Sequence, residues 1–372
     1  MLQATSSKRI TLTAAVLRSG FNTMVRNTEA HLNRTLDNAG RELLPASPQF
    51  IDLYSDAGAP LAQQEAALAE LAQRLQGETP TVSPKYFYNA LGSSLFEAIT
   101  ALDEYYPTRT EAAIFEAAYD EIRATVSSLG IRNPCLIDLG AGNCAKAARL
   151  IPHLQPRQYV PVDISVDFLR DAATQVQNSF PALDIVGLGM DFSASLALPD
   201  KVQRRDRVFF YPGSSLGNFA PEQALEFLKR IADPAQGGAR GLLLGIDLVK
   251  DSQTLEAAYD DALGVTAAFN KNMLLNINSL LHSDFNVRQW EHVALYNKIE
   301  SRIEMHLKAN CDLAVRWPGH QRRFKAGERI HTESSYKYTA DSMRKLLGQA
   351  GFCHVECWTD PQSWFAVFWA AM

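Results

Sequence analysis

Between Cys135 and Leu248, five short apolar runs recur with helical stretches between them, and this alternation constrains the fold more than any other feature of the chain. Cys135 to Leu139 runs into Gly140-Ala141-Gly142, and Tyr159 to Val162 ends in Asp163. Asp184 to Leu188 leads to Met190-Asp191-Phe192, and Arg207 to Tyr211 leads to Gly213-Ser214-Ser215-Leu216-Gly217-Asn218. Gly241 to Leu248 closes the series. Runs of this length bounded by turn residues read as buried strands. Strands that alternate with helices form a mostly parallel sheet with helices on both faces, which predicts an α/β fold. Ligands of such sheets bind beyond the carboxyl ends of the strands. Gly140, Asp163, Asp191 and Asn218 all fall there.

After Lys250 the alternation stops for nearly ninety residues. Helical stretches from about Thr254 to Leu281 precede strand-like segments at His292 to Leu295, Arg302 to Ala309, Leu313 to Arg316 and His331 to Tyr338. A helix over Ala340 to Ala350 and two strands near His354 to Trp358 and Phe365 to Ala370 then return the chain to the sheet. The expected organisation has four parts. Residues 1–109 form an N-terminal helical region and the first part of a second lobe, 110–247 the core, 248–337 the inserted second part of that lobe, and 338–372 the return to the core. Before residue 80 the clearest helical pattern is the Ala/Leu-rich stretch from Pro60 to Leu75.

Composition excludes several classes. The 372 residues are 47% hydrophobic and carry a net charge of −5, so no global field draws the chain to nucleic acid. No apolar run reaches the roughly 18 residues of a membrane span. The five cysteines are too few and too scattered for a disulfide framework and include no paired CxxC zinc pattern, which suits a reducing cytoplasm and implies no metal. Lys8, Arg9, Arg18 and Arg26 precede the first acid, Glu29, and read as a solvated extension.

The glycine turn after the first run lets the backbone approach a ligand that a Cβ would exclude. Asp163, about twenty residues on, is placed to accept hydrogen bonds from ribose hydroxyls. Gly140-x-Gly142-x-x-Ala145 also satisfies the dinucleotide fingerprint formally, so a nicotinamide-dependent oxidoreductase is an open alternative, as is a non-catalytic ligand-binding protein. Asp138, ahead of the first glycine, can hold a positive charge where dehydrogenases place an apolar residue. Asp191-Phe192 can bond an adenine amino group and pack on its ring. Both features favour S-adenosylmethionine (SAM), which has a cationic methionine portion and no pyrophosphate.

A series of segments then carries a specific resemblance. They include Tyr86-Phe87-Tyr88 through Gly92-Ser93-Ser94-Leu95-Phe96, Glu104-Tyr105-Tyr106-Pro107-Thr108-Arg109, Gly213 to Asn218, Ala257-Ala258-Tyr259-Asp260-Asp261, Arg302-Ile303-Glu304-Met305 and Thr332-Glu333-Ser334-Ser335. In that order they resemble the histidine Nα-methyltransferase family of ergothioneine biosynthesis, over about Lys85 to the C-terminus. The resemblance implies a Rossmann-like class I methyltransferase sheet with a discontinuous α+β substrate lobe. It implies SAM as methyl donor, free histidine as acceptor and hercynine as product; the sequence leaves the oligomeric state open, with a monomer favoured.

By the same resemblance, Asp138, Gly140, Gly142, Lys146, Asp163, Asp191 and Phe192 line the cofactor site. Tyr105, Asn218 and Tyr259 hold the amino acid's backbone groups, with Tyr88 close by. Glu333, Ser334 and Ser335 form the imidazole end, with Met305 against the ring. Residue chemistry agrees, because neutral imidazole presents one donor and one acceptor, which a carboxylate and a hydroxyl two positions apart on a strand can meet. The glycine turn departs from the family pattern at Asn143-Cys144-Ala145, and Asp138 stands where glutamate is common. No dedicated catalytic base follows from the sequence.

Overall fold

The apolar runs form strands because each is buried on both faces. In chain order the strands are β1 (Gln49–Asp52), β2 (Cys135–Leu139), β3 (Gln158–Asp163), β4 (Asp184–Gly189), β5 (Arg207–Tyr211), β6 (Ala239–Asp247), β7 (Trp290–Asn297), β8 (Arg302–Ala309), β9 (Leu313–Trp317), β10 (His320–Phe324), β11 (Arg329–Tyr336), β12 (His354–Thr359) and β13 (Phe365–Ala371). Every residue of β2, β5 and β13 is buried. The computed structural model describes residues 47–53 and 61–372. The basic stretch holding Lys8, Arg9, Arg18 and Arg26 lies outside the described residues.

Eight strands make one sheet in the order β1-β4-β3-β2-β5-β6-β13-β12. Strands β1 to β6 pair in parallel, and β13 runs antiparallel between β6 and β12. This is the mostly parallel α/β sheet that the apolar runs predict, in the Rossmann-like form that the resemblance implies. The chain leaves β2 toward β3 and leaves β5 toward β6, on opposite sides, so the crevice opens where the turns after β2 and β5 diverge. Alternate residues feed two apolar layers. One packs Ile137, Phe209 and Leu244 against Phe227 and Met343 of the helices Pro221–Ala232 and Ala340–Gln349. The other packs Leu136, Phe210 and Trp369 against Ile114, Ala147 and Leu169 of the helices Tyr106–Ser128, Ala145–Leu154 and Val166–Ser179.

A third apolar cluster joins residues from Leu71 to Tyr106 with others from Leu255 to Ile330. Here the helix Val265–Leu281 lies against β7 and β8 of an antiparallel sheet ordered β11-β8-β7, and Phe87 stacks on its Phe269 with ring centroids 4.5 Å apart. Tyr336 and Tyr338 already belong to the first cluster, so β11 crosses from one core to the other.

Two details differ from the sequence reading, strands β1 and β10. Strand β1 was not expected. It pairs with β4, and the Phe50 ring covers Gly187, where a Cβ would fall 2.5 Å from the ring. The helical stretches expected over Thr254 to Leu281 are present as Ser252–Ala257 and Val265–Leu281. Asp261 causes the break by accepting the Val265 and Thr266 amides at 2.9 and 2.7 Å, which starts a new helix after Gly264. Strand β10, also unexpected, pairs with β9 in an antiparallel ribbon that buries Val315, Trp317 and Phe324. The stretch from Pro60 to Leu75 is helical as expected, as Leu61–Gln76. Among the described residues no helix is long and apolar enough to cross a membrane.

Candidate active site

A cavity of about 1080 Å³ opens at the carboxyl ends of β2 to β5 and reaches β11. Single-ligand pockets usually span roughly 300–1,000 Å³, so it has room for two ligands side by side.

At the sheet end, Gly140 and Gly142 hold positive φ values of 69° and 52°, which explains the glycines. Asp163, at the end of β3, accepts the Gly142 amide at 3.0 Å through Oδ2 and the Ser165 amide at 2.9 Å through Oδ1. Each oxygen keeps a lone pair for a ligand. Burial raises the Asp163 carboxyl above its ordinary range, and these amides oppose the rise. Asp138, buried in β2, accepts the Tyr159 hydroxyl at 2.8 Å, and burial lifts it to about 7. Phe192 faces the glycine turn and meets Tyr211 edge-on with centroids 5.8 Å apart. Asp191 is partly engaged, accepting from Ser193 and pairing with Lys85 at 3.6 Å.

Lys146 reaches the cavity from the helix Ala145–Leu154 and pairs with Glu111 at 2.6 Å. Glu111 escapes the sequence reading. It is 1% exposed, accepts the Gly213 amide at 2.7 Å, and so links the turns after β2 and β5. Gly245 makes room for it, since a Cβ there would lie 1.9 Å from Glu111 Oε1. The departing Asn143-Cys144-Ala145 is well held. Cys144 takes φ 58°, Asn143 accepts the Ala145 amide at 3.1 Å, and its side chain donates to Glu97 at 2.8 Å.

At the other end, Tyr88, Tyr105, Asn218, Glu333 and Ser334 line the same cavity. Asn218 sits on a turn pressed against β11, and a Cβ on the neighbouring Gly217 would fall 2.7 Å from the Tyr336 carbonyl. Tyr259 and Met305 lie behind, around a recess of about 30 Å³ shared with Tyr88, Tyr105 and Glu333. Met305 stands opposite Glu333 in the β8–β11 register. Ser335 lines neither space. Its Oγ accepts the Tyr259 hydroxyl at 2.9 Å. Ser334 instead bonds His331 at 3.1 Å.

The Glu333 carboxylate has no hydrogen-bond partner among the described residues, although the residue is 9% exposed. Burial pushes it up to about 7, with Lys337 holding it down. Tyr88 lies in the field of both Glu333 and Asp163, and burial together with those carboxylates raises its phenol. Behind the tyrosine-lined end is a buried charged cluster that the sequence reading also missed. Asp247, at the end of β6, pairs with Lys337 at 2.8 Å and Lys250 at 2.6 Å, and accepts the Tyr106 hydroxyl at 2.7 Å.

The cavity therefore pairs a turn and strand-end carboxylate suited to a nucleoside with a tyrosine-lined end holding an unpaired carboxylate. A family model described as histidine-specific methyltransferase, SAM-dependent, matches residues 67–372. The chain belongs to that family. A histidine N-alpha-methyltransferase of Mycolicibacterium smegmatis is 39% identical over 309 residues, covering 82% of this chain and 94% of that protein. Another from Mycobacterium tuberculosis is 38% identical over 303 residues, covering 80% and 92%. An ergothioneine biosynthesis protein 1 of Neurospora crassa is 28% identical over 281 residues, covering 73% of this chain and 31% of that protein.

As a member of the histidine-specific methyltransferases, the chain is a SAM-dependent enzyme. The sheet end fits the methyl donor: the turn carries no side chains at Gly140 and Gly142, Asp163 retains acceptor capacity, and Phe192 supplies an aromatic face.

Proposed function

We propose that this methyltransferase methylates the α-amino nitrogen of free L-histidine, through to the trimethylated betaine hercynine, as in ergothioneine biosynthesis. Residues 110–247 and 338–372 hold the donor in this reading, and 61–109 with 248–337 hold the acceptor. Asp163 receives the ribose hydroxyls, Phe192 packs on the adenine, and Asp138 and Lys146 face the methionine portion. Bound SAM supplies an electrophilic methyl group on a sulfonium.

Glu333 carries the acceptor assignment. A buried carboxylate without a partner is costly, so the end it occupies selects a ligand that donates to it. A ring N–H does so, and an apolar aromatic side chain does not. Tyr105, Tyr259 and Asn218 position the amine and carboxylate of the amino acid. The amine must be neutral to attack, so these groups act by orienting its lone pair and excluding water. Repeated methylation requires the nitrogen to turn within its tyrosine and asparagine contacts, and no fixed ion pair to the amine opposes that.

The test is to incubate the protein with SAM and each of the twenty amino acids separately and read the products by mass. Histidine gaining up to three methyl groups is expected. Preferential methylation of another amino acid would overturn the acceptor assignment, and loss of product after one methyl would overturn trimethylation.

A further inference from the structure

Strand β11 breaks its own alternation. In an uninterrupted strand, residues an odd number apart point to opposite faces. Ile330 and Glu333 are three apart, yet Ile330 stands opposite Leu307 and Glu333 opposite Met305, both on the buried face of β8. His331 and Ser334, also three apart, share the other face. They bond each other at 3.1 Å, and the centroid of the His331 ring lies 5.0 Å from that of His306. The register shifts between His331 and Glu333, so Thr332 is one residue more than β8 pairs with, a β-bulge.

The two halves of the strand are pinned on either side of it. The His331 amide donates to the Pro80 carbonyl and its carbonyl accepts the Val82 amide, each at 2.9 Å. Just past the strand, the Lys337 amide donates to the Ser301 carbonyl at 2.8 Å, and its ammonium pairs with Asp247 at 2.8 Å. The extra residue must therefore lie between His331 and Lys337, and its place decides which way Glu333 points. Ahead of Glu333, it turns the carboxylate toward Met305. Moved past Glu333, it leaves both pinned halves as they are but sets Thr332 opposite Met305 and Glu333 opposite Glu304, on the face of Arg302 and His306.

Burial does not choose the first place, because it holds a partnerless carboxylate inside the protein. The second brings two carboxylates together, but Arg302 already pairs with Glu304 at 2.8 Å and softens that contact. Thr332 itself supplies the difference. Its side chain is fully buried, and its hydroxyl donates to the Met305 carbonyl at 3.0 Å. We propose that Thr332 is a positioning residue for acceptor recognition: its hydroxyl locks the bulge to Met305 and so keeps Glu333 turned into the recess they share. The inference rests on the reading of Glu333 as the group that meets the acceptor's ring, and adds the part that aims it.

The test compares Thr332→Val, which keeps the shape and loses the hydroxyl, with Thr332→Ser, which restores it. Glu333→Ala and its combination with Thr332→Val complete the cycle. Thr332→Val should raise the KM for histidine at least about fivefold, the worth of one hydrogen bond, with kcat and SAM affinity within about twofold. Thr332→Ser should stay within about twofold of wild type in KM. In the Glu333→Ala background, Thr332→Val should add less than about twofold, since the side chain it aims is gone.

A readout without ligands separates this from the acceptor reading. At pH 8, Glu333→Gln should raise the melting temperature of wild type by removing a buried charge, and raise that of Thr332→Val by less than about half as much, because the carboxylate has already turned out. If Thr332→Val does not fold, Thr332→Ala takes its place. An unchanged histidine KM without the hydroxyl, an equal loss for SAM, a full effect in the Glu333→Ala background or no rescue by serine overturns the role of Thr332. Failure of wild type to methylate histidine overturns the acceptor reading instead, and the melting temperatures then decide on Thr332 alone.

Discussion

The two ends of the cavity are made of different material. At the sheet end, the ligand-facing groups are strand ends and backbone turns: Gly140, Gly142 and Asp163 are fixed by hydrogen bonds spanning about twenty residues of chain. At the tyrosine-lined end they are side chains from distant segments, backed by Tyr106, Asp247, Tyr259 and Lys337 joined in one buried network. The first end is a property of the fold, and many ligands of one class suit it. The second depends on each side chain having its partner, so it can discriminate between acceptors but is more easily damaged.

The largest effect should come from cutting that network at its centre. Asp247→Ala leaves two buried ammoniums without their carboxylate, which should cost about 3–5 kcal/mol of stability. Denaturant unfolding measures it, and a loss below about 1 kcal/mol would mean that the acceptor end does not depend on its charges.

Glu333 should show the same dependence through pH. Its folded pKa of about 7 lies above the ordinary 4.5, so between those values the folded state holds a proton that the unfolded chain has released. Stability from this group is present below 4.5 and is lost as pH rises to about 7. At about 1.4 kcal/mol per unit the loss approaches about 3 kcal/mol. Without ligands, Glu333→Gln should match wild type near pH 4.5 and be more stable at pH 8 by thermal melting. Parallel stability curves would show that Glu333 is solvated rather than held for a ligand.

The sheet end should respond in affinity. Asp163→Ala removes a contact proposed for the ribose hydroxyls and should weaken SAM binding by about 1.5–3 kcal/mol, or roughly 10- to 150-fold by calorimetry. Asp163→Asn keeps one acceptor oxygen and should lose less. Unchanged affinity in a folded Ala variant would remove Asp163 from the donor site. The smallest effect distinguishes the ends most directly: Asn218→Ala should raise the KM for histidine by about fivefold and leave SAM affinity alone. Equal losses for both ligands would show that the turn against β11 serves the whole cavity.

The sheet was legible because its strands are continuous apolar runs closed by glycine or aspartate; Cys135–Leu139 and Arg207–Tyr211 match the expected bounds. Strand β1 was not, since Gln49–Asp52 is four residues long with a polar residue at each end. The buried charges were hardest to see, because a sequence does not distinguish a buried carboxylate from a surface one. Glu111 did leave a signal. It stands three and four positions before the buried Ile114 and Phe115, on the stripe that continues to Ala118 and Ile122. Asp247 likewise ends a strand buried at every position after Arg240. Lys337 follows directly on β11 and gave no comparable sign, because its reason for being inside is Asp247.

Tyr88 has a consequence of another kind. Its phenol stands in the field of Asp163 on one side and Glu333 on the other, so a ligand that reorients it at either end changes what the second ligand meets. Such a reorientation would link binding at the two ends reciprocally: the factor by which amino acid alters SAM affinity would equal the factor by which SAM alters amino-acid affinity. A single aromatic ring shared by both ends is thus the place where such a linkage would be read, as a change in SAM affinity on adding the amino acid.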